Sequence, residues 1–278
     1  MWFITQGNMV SREFREKIYK YKWIHRCLLY IYHNKGRLTC KKIAMQNDYH
    51  VRLRRLKENR LKDRCFIIGN GPSLTIEDLE KVKDEDCLAT NGIVNVFNNT
   101  SWRPKYYFLM DRYATYDPEC IRDLDVEHVF LGSYYYLNNR VLRKDAFCIR
   151  ERMFFSRRNY KFSDDIEKYI VNGCTVSYFA MQAAVYLGYK EIYLIGFDNT
   201  YKYEKHADGN VVDTGVIKAH FYQDNNPRNI VGEPVEMEKA YKSFKEYAGL
   251  HGIRVKNLTR GGNLEVFDRD ELENIIGD

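Results

Sequence analysis

CFIIGNGPSL, residues 65–74, joins an apolar, strand-like run to an abrupt turn. The CFII run is typical of a buried strand. The turn that follows consists of Gly69, Asn70, Gly71, Pro72 and Ser73. Glycines let the backbone approach a ligand closely, and backbone N–H groups at the start of the next helix can hold an anion. The alternative is a tight turn without a ligand, in which Ser73 or Thr75 caps that helix.

Strand-like and helix-like segments alternate along the chain after residue 64. The apolar runs that read as further strands are DCLATN, KYYFLMD, EHVFLGS, KEIYLIGFD and IRVKNLT. Helical patterns occur in LTIEDLEKV, CTVSYFAMQAAVYLG and residues 234–250. This alternation predicts an α/β fold with a Rossmann-like, doubly wound and mainly parallel sheet, spanning residues 65–278. Residues 199–232 show no regular pattern, and we expect a lid there.

The positive charge of the chain is concentrated at its start. Residues 1–64 carry 17 Lys or Arg against 5 Asp or Glu, although the whole chain has a net charge of only +6. We interpret residues 1–64 as a basic helical extension, with an amphipathic helix over residues 9–34 and a second helical segment from residue 35. The apolar stripe of the first helix either lies on an anionic membrane surface or packs on protein, as in a homo-oligomer.

The cysteine spacing and the hydropathy of the chain argue against several classes of protein. The seven cysteines form no Cys-x-x-Cys motif, which argues against a zinc site and against a disulfide framework. The sequence has neither a signal-peptide pattern nor a long apolar span, so we expect a cytoplasmic protein, either free or peripheral at the inner face of the membrane. The apolar stripe of the extension fits a nucleic-acid binder poorly, and we expect no nucleic-acid partner.

Polar residues stand where the predicted strands end. In an open parallel sheet, ligands bind beyond the carboxyl ends of the strands. The polar residues at those positions are Asn70, Ser73, Asn91, Asp111, Asp198, Asn257 and Arg260. The first turn matches neither the Gly-x-Gly-x-x-Gly pattern nor the Walker pattern, so a dinucleotide or Walker-type ATP site has no direct support. The positions predict a nucleotide or phosphate ligand.

Three segments resemble one superfamily of transferases. They are FIIGNGPSL in the first strand, GCTVSYFAMQAAVYLGYKEIYLIGFD at residues 173–198 and HGIRVKNLTRGGNLEVF at residues 251–267. The superfamily contains the bacterial lipooligosaccharide sialyltransferases of glycosyltransferase family 42, the motility accessory factor flagellin glycosyltransferases and the archaeal hydroxymethylpterin diphosphokinases. The resemblance covers residues 64–267 and implies a GT-A-like variant of the Rossmann-like fold.

The resemblance also implies roles for particular residues. In the sialyltransferases the first turn binds a CMP-sugar, and Asn70 occupies the matching position here. Asn91 matches an asparagine that contacts the nucleotide. Thr175 and Ser177 lie at the helix start that reaches the phosphate and the sugar. The arginine that the family has at this helix start is absent, which weakens the case for sialic acid as the sugar.

Further candidates follow the fifth predicted strand. By resemblance, Tyr201 and Tyr203 correspond to tyrosines that hydrogen-bond the departing phosphate. The sialyltransferases use a lid histidine as general base, and a histidine near neutral pKa suits that role. We expect His220 to be the base, with Glu233 or Asp198 as substitutes.

The leading hypothesis is therefore a bacterial glycosyltransferase. It would transfer a sialic-acid-like or other sugar from a CMP-activated donor to a glycan or glycolipid acceptor, with inversion. No metal or other cofactor is expected, because hydrogen-bond donors can stabilise the leaving phosphate. The alternative is a diphosphokinase of the hydroxymethylpterin type that uses ATP and Mg²⁺, with Asp111 and Asp198 as candidate ligands of the ion.

Overall fold

The computed structural model describes residues 22–45, 48–110, 121–138, 143–152, 160–206, 210–223 and 231–277. The first part of the predicted helix over residues 9–34 and the candidate Asp111 lie outside these ranges. The helices are α1 (Lys22–Ala44), α2 (Tyr49–Arg55), α3 (Ile76–Lys81), α4 (Ser133–Asn138), α5 (Val176–Leu187), α6 (Pro234–Leu250) and α7 (Leu272–Ile276).

The strands fall into one large sheet and two small ones. The large sheet contains β1 (Arg64–Ile68), β2 (Cys87–Thr90), β3 (Tyr106–Leu109), β4 (His128–Gly132), β5 (Phe147–Ile149), β8 (Glu191–Ile195) and β12 (Arg254–Asn257). The small sheets contain β6 (Glu151–Arg152) with β7 (Ile170–Val171), and β9 (Tyr203–Lys205) with β10 (Val211–Asp213) and β11 (Val231–Gly232).

The large sheet is parallel and has the order β12-β8-β1-β2-β3-β4-β5. The chain runs outward from β1 to β5, returns to β8 beside β1, and continues outward to β12. The carboxyl ends of β1 and β8 therefore flank the point where the strand order reverses, which is where open α/β sheets bind their ligands. The prediction of a Rossmann-like α/β fold is confirmed.

Aromatic side chains fill one face of the sheet. The rings of Phe108 and Phe130 stack with centroids 4.9 Å apart, and those of Phe130 and Phe147 with centroids 5.0 Å apart. Phe179 of α5 meets Phe108 edge-on at 5.0 Å. Pairs of this kind contribute about 0.5–1.5 kcal/mol each beyond the area they bury. They hold α5 against the strands and so place its first turn at the carboxyl edge.

Helix α1 ends ten residues later than predicted, at Ala44 instead of residue 34, and packs on the body. It continues without a break through residue 35, so the prediction of two segments that divide there is wrong. The second half of α1 contacts α4, β5 and β6, and Cys40 is buried in this contact. In α2, Tyr49 and Leu53 belong to the main core. The division of the chain at residue 64 stays a prediction.

Residues 199–232 contain more regular structure than predicted. β9 pairs antiparallel with β10 and parallel with β11, which makes a small three-stranded sheet. The expectation of no regular element there is wrong, because two-residue and three-residue strands are too short to give a readable alternation. The role of this segment as a lid stays a prediction. Among the described helices, none has the length and apolar character needed to span a bilayer.

Candidate functional site

The turns after β1 and β8 lie against each other at the switch point. The backbone N–H of Gly69 donates to the carbonyl oxygen of Ile195 at 2.8 Å, and that of Gly71 donates to Gly196 at 2.9 Å. Strand pairing thus extends beyond the strands into the turns. The two turns form one rigid unit at the centre of the carboxyl edge.

The glycines of the first turn are required by this contact. A Cβ atom on Gly69 would lie 2.9 Å from the carbonyl carbon of Gly196 and closer still to its oxygen. A Cβ atom on Gly71 would lie 2.6 Å from Cγ of Asp198. Gly196 itself has a φ of +73°, which favours glycine. The close approach that these glycines permit is therefore an approach between two turns of the same chain.

Asp198 joins the turns through its carboxylate. Ser73 donates its backbone N–H to Oδ1 at 3.1 Å and its hydroxyl to Oδ2 at 2.8 Å. The turn after β12 adds to this junction, because the N–H of Asn263 donates to the Asp198 carbonyl oxygen at 2.7 Å. Burial raises the pKa of Asp198 above its usual value, and the hydrogen bonds from Ser73 only partly oppose this effect. Asp198 therefore sits at the switch point as predicted, with both carboxylate oxygens already accepting hydrogen bonds.

Two other predicted residues shape the turn after β12. The side chain of Asn257 is buried, donates to the Leu264 carbonyl oxygen at 3.0 Å and accepts from the N–H of Thr259 at 3.1 Å. The guanidinium of Arg260 donates to Ser73 O at 2.9 Å and forms an ion pair with the carboxylate of Asp78. These contacts bind the last turn of the sheet to the turn after β1.

Several buried polar atoms at this edge have no partner within the described part of the chain. They are Asn70 Oδ1, Asn91 Oδ1, Asn199 Oδ1 and Thr200 Oγ1. The amide nitrogen of Asn70 donates to Thr90, at 2.9 Å to its carbonyl oxygen and at 3.5 Å to its hydroxyl. A buried polar atom without a partner costs about 1–3 kcal/mol, so four of them beside adjacent strand ends indicate a place for a ligand. Asn199 and Thr200 were not predicted, although their position directly after Asp198 is a usable signal.

The backbone is strained at the same edge. Asn91, Cys174 and Asn199 have φ values of 44°, 61° and 53°, in the left-handed region. Asparagine tolerates this conformation, whereas cysteine does so at a cost of about 1–2 kcal/mol. In the described chain, Asp48 is the one other non-glycine residue with positive φ. Clustering of such residues at one edge is typical of a binding site.

Thr175 and Ser177 stand at the start of α5. The hydroxyl of Thr175 caps the helix by accepting from the N–H of Ser177 at 3.2 Å. Tyr241 of α6 lies near both hydroxyls, and burial raises its pKa to about 12. The ring of Phe197, one residue before Asp198, lies 6.4 Å from that of Tyr241. The start of α5 therefore borders the switch point, as predicted.

The two predicted tyrosines lie in or just before β9 of the small sheet, and their contact with a phosphate stays a prediction. The hydroxyl of Tyr201 donates to Sδ of Met237 at 3.1 Å, and burial raises its pKa far above the usual value. Gly232 of β11 lies directly against its ring. Tyr203 lies in β9, where it pairs with Asp213 and Val231. Tyr201 thus holds the small sheet against α6.

His220 belongs to a segment that rests on the first turn. The N–H of the next residue, Phe221, donates to the carbonyl oxygen of Asn70 at 3.2 Å. The imidazole stacks on the ring of Tyr222, with centroids 5.1 Å apart. Glu233 begins α6 and lies 3.5 Å from Lys205 in an ion pair. The segment of His220 is therefore linked through Phe221 to the predicted nucleotide turn, and Asp198 accepts two hydrogen bonds from Ser73 of the same turn.

The fold is that of a Rossmann-like α/β protein, with unpartnered polar atoms beside the switch point of its sheet. Residues 41–204 match the model of the family described as 6-hydroxymethylpterin diphosphokinase MptE-like. This match covers more than half of the chain, and the chain belongs to that family. The superfamily resemblance is thereby confirmed. No curated protein is a significant match to the sequence.

Proposed function

We propose that this protein is a transferase that binds a nucleotide-activated donor between the ends of β1 and β8. The preferred reaction transfers a sugar from a CMP-activated donor to a hydroxyl of a glycan or glycolipid acceptor, with inversion. The observation that carries the proposal is the set of unpartnered side-chain oxygens on Asn70, Asn91 and Asn199. Amide oxygens accept hydrogen bonds, and ribose hydroxyls and the amino group of cytosine donate them.

His220 is the proposed base of this reaction. Its imidazole takes the proton of the acceptor hydroxyl while the acceptor oxygen bonds to the anomeric carbon of the sugar. The bond from that carbon to the phosphate oxygen breaks, and CMP leaves with the electron pair. The link from Phe221 to Asn70 supports this role, because it ties the histidine segment to the turn that would hold the nucleotide.

A diphosphokinase is the second candidate, and the family match favours it. Such an enzyme transfers a pyrophosphoryl group from ATP to the hydroxyl of a small heterocycle and depends on Mg²⁺. Asp198 offers the ion fewer lone pairs than a free carboxylate does, because each of its oxygens already accepts one hydrogen bond from Ser73. This is the reason for placing glycosyl transfer first.

Thermal stabilisation by CMP, CDP, UDP and ATP, with and without Mg²⁺, separates the two candidates. A ligand that binds the folded state raises the melting temperature by mass action. Stabilisation by CMP without Mg²⁺ supports glycosyl transfer. Stabilisation by ATP with Mg²⁺ alone favours the diphosphokinase. The absence of any shift would leave the first turn as a purely structural feature and would overturn the proposal.

Two variants sharpen this test. Asn91→Gly removes an unpartnered oxygen at a backbone position that suits glycine, so binding of CMP should weaken about tenfold while the fold stays intact. Asn59→Gly, at an exposed asparagine, is the matched control. His220→Ala should leave the stabilisation by CMP unchanged and lower the transfer rate by about 10²–10⁴-fold.

A further inference from the structure

A cavity of about 230 Å³ lies between α1 and the outer edge of the sheet. Arg37 and Lys41 of α1 line one side, and Arg150, directly after β5, lines another. This volume is below the range of about 300–1,000 Å³ that drug-sized ligands fill, so it suits a small ligand. β5 is four strands from β1, or about 19 Å at the usual strand spacing. The cavity is therefore separate from the switch point.

Lys168 also lines the cavity and is paired with Asp165 at 2.8 Å, whereas the other three lining Lys and Arg side chains have no partner among the described residues. The side chains of Arg37, Lys41 and Arg150 form no hydrogen bond or ion pair with any described residue. The one carboxylate in the lining, Glu167, is already engaged, with Arg54 at 2.9 Å and His50 at 3.0 Å.

Arg150 is the least favourably placed of these cations. It is half-buried, and burial together with the neighbouring Arg37 and Arg152 lowers its pKa. Guanidinium groups near each other repel unless an anion lies between them. A partly buried charge without a partner also loses hydration that nothing in the described chain replaces. Both costs disappear when an anion enters the cavity.

We propose that this cavity binds a phosphate-bearing ligand, held by Arg37, Lys41 and Arg150. The planar fork of a guanidinium matches two phosphate oxygens, and a lysine adds a point charge. Of these three unpaired cations, Arg37 and Lys41 belong to α1 and Arg150 follows β5. The ligand would therefore bridge α1 to the sheet and fix the extension on the body.

The test uses the full chain and two sources of phosphate. Inorganic pyrophosphate is titrated by calorimetry, and co-sedimentation is measured with phosphatidylcholine vesicles with or without phosphatidic acid. Arg150→Gln and Lys41→Gln should each weaken binding at least tenfold, because each removes charge-assisted hydrogen bonds. Arg55→Gln, at an exposed arginine of α2 outside the cavity, makes the same charge change and should leave binding as it is. Lys41 is exposed, so its variant keeps the test valid if the Arg150 variant folds poorly.

The outcomes distinguish the sources and can overturn the proposal. A loss confined to pyrophosphate identifies a free phosphate compound as the ligand, and a loss confined to phosphatidic acid vesicles identifies a lipid headgroup. Asn91→Gly should keep the binding of pyrophosphate, because Asn91 lies at the other site. The proposal fails if neither probe binds, or if the Lys41 and Arg55 variants bind both probes equally well.

Discussion

Replacing Gly69 with alanine tests the contact between the two turns at the switch point. The added Cβ would lie 2.9 Å from the carbonyl carbon of Gly196, whereas non-bonded carbons prefer about 3.5–4.0 Å. The turns would have to separate by at least roughly 0.6 Å to remove this overlap. The obstacle is the backbone of Gly196 at the end of a paired strand, so no side-chain rotation can relieve the overlap.

The expected loss in the free energy of unfolding follows from the contacts that are weakened when the two turns separate. Overpacking of this kind costs about 1–3 kcal/mol, and the two backbone hydrogen bonds from Gly69 and Gly71 add about 1 kcal/mol each when stretched or lost. Alanine restricts the unfolded chain, which returns about 0.4–1 kcal/mol. The net loss in the free energy of unfolding should be about 2–4 kcal/mol.

Urea unfolding followed by circular dichroism measures this loss, and Gly249 provides the matched control. Gly249 lies exposed in α6, and a Cβ there would meet nothing within 4 Å. Gly249→Ala should therefore stabilise the protein by up to about 1 kcal/mol, as alanine does in exposed helices. If Gly69→Ala unfolds at the wild-type urea concentration, the turns do not touch as described and the reasoning is refuted.

Three further perturbations test other contacts. The sulfur atoms of Cys40 and Cys148 lie 3.4 Å apart, so a disulfide-forming oxidant such as diamide should link α1 to β5 within one chain. A non-reducing gel would reveal this linkage, and a linkage that persists in the Cys40→Ser variant would contradict the prediction. Burial raises the pKa of Glu167, but its hydrogen bonds outweigh burial and lower the pKa to about 2. The ionised Glu167 carboxylate therefore stabilises the fold above a pH of about 4.5, and this contribution to the free energy of unfolding is lost as the pH falls towards 2. The difference in stability between the wild type and Glu167→Gln should shrink over that range, and a constant difference would refute the assignment. Tyr201→Phe should cost about 0.5–1.5 kcal/mol of stability through its lost bond to Met237 and leave CMP binding unchanged, whereas a phosphate contact would show as weaker binding.

The fold was predictable because its signals are local. Most strands of the central sheet are short apolar runs that end near a polar residue or glycine, and helical patterns separate several of these runs; the three-residue β5 was missed. Strands of a parallel sheet are buried on both faces, so their residues are apolar in an uninterrupted run. Such a run can be recognised from the segment itself, without knowledge of the strands that it pairs with. Gly36 shows the limit of local signals, because α1 continues through it and buries it against the body.

The site was predictable in its location but not in its contacts. Strand ends such as Asn70, Asn91 and Asp198 could be read from the sequence, since parallel strands bring their carboxyl ends to one edge. The bonds between Ser73 and Asp198 join residues 125 positions apart, and no pattern in either segment indicates them. The contact of the Tyr201 hydroxyl with Met237 was hidden from the sequence for a related reason. Whether a tyrosine faces a ligand or the core depends on the packing of β11 and α6, which lies outside its own segment.

The first turn therefore contains two kinds of residue with separate tasks. Gly69 and Gly71 are needed by the fold, because any side chain there would overlap the neighbouring turn of the same chain. Asn70, between them, presents a buried oxygen that no described residue satisfies. A residue that serves only a turn would not leave such an atom unpaired, since doing so costs about 1–3 kcal/mol. The glycines thus make the edge rigid, and that rigidity holds the asparagine oxygen where a ligand can reach it. Substitutions at the glycines should lower stability first, whereas substitutions that remove the unpaired oxygens should lower binding first.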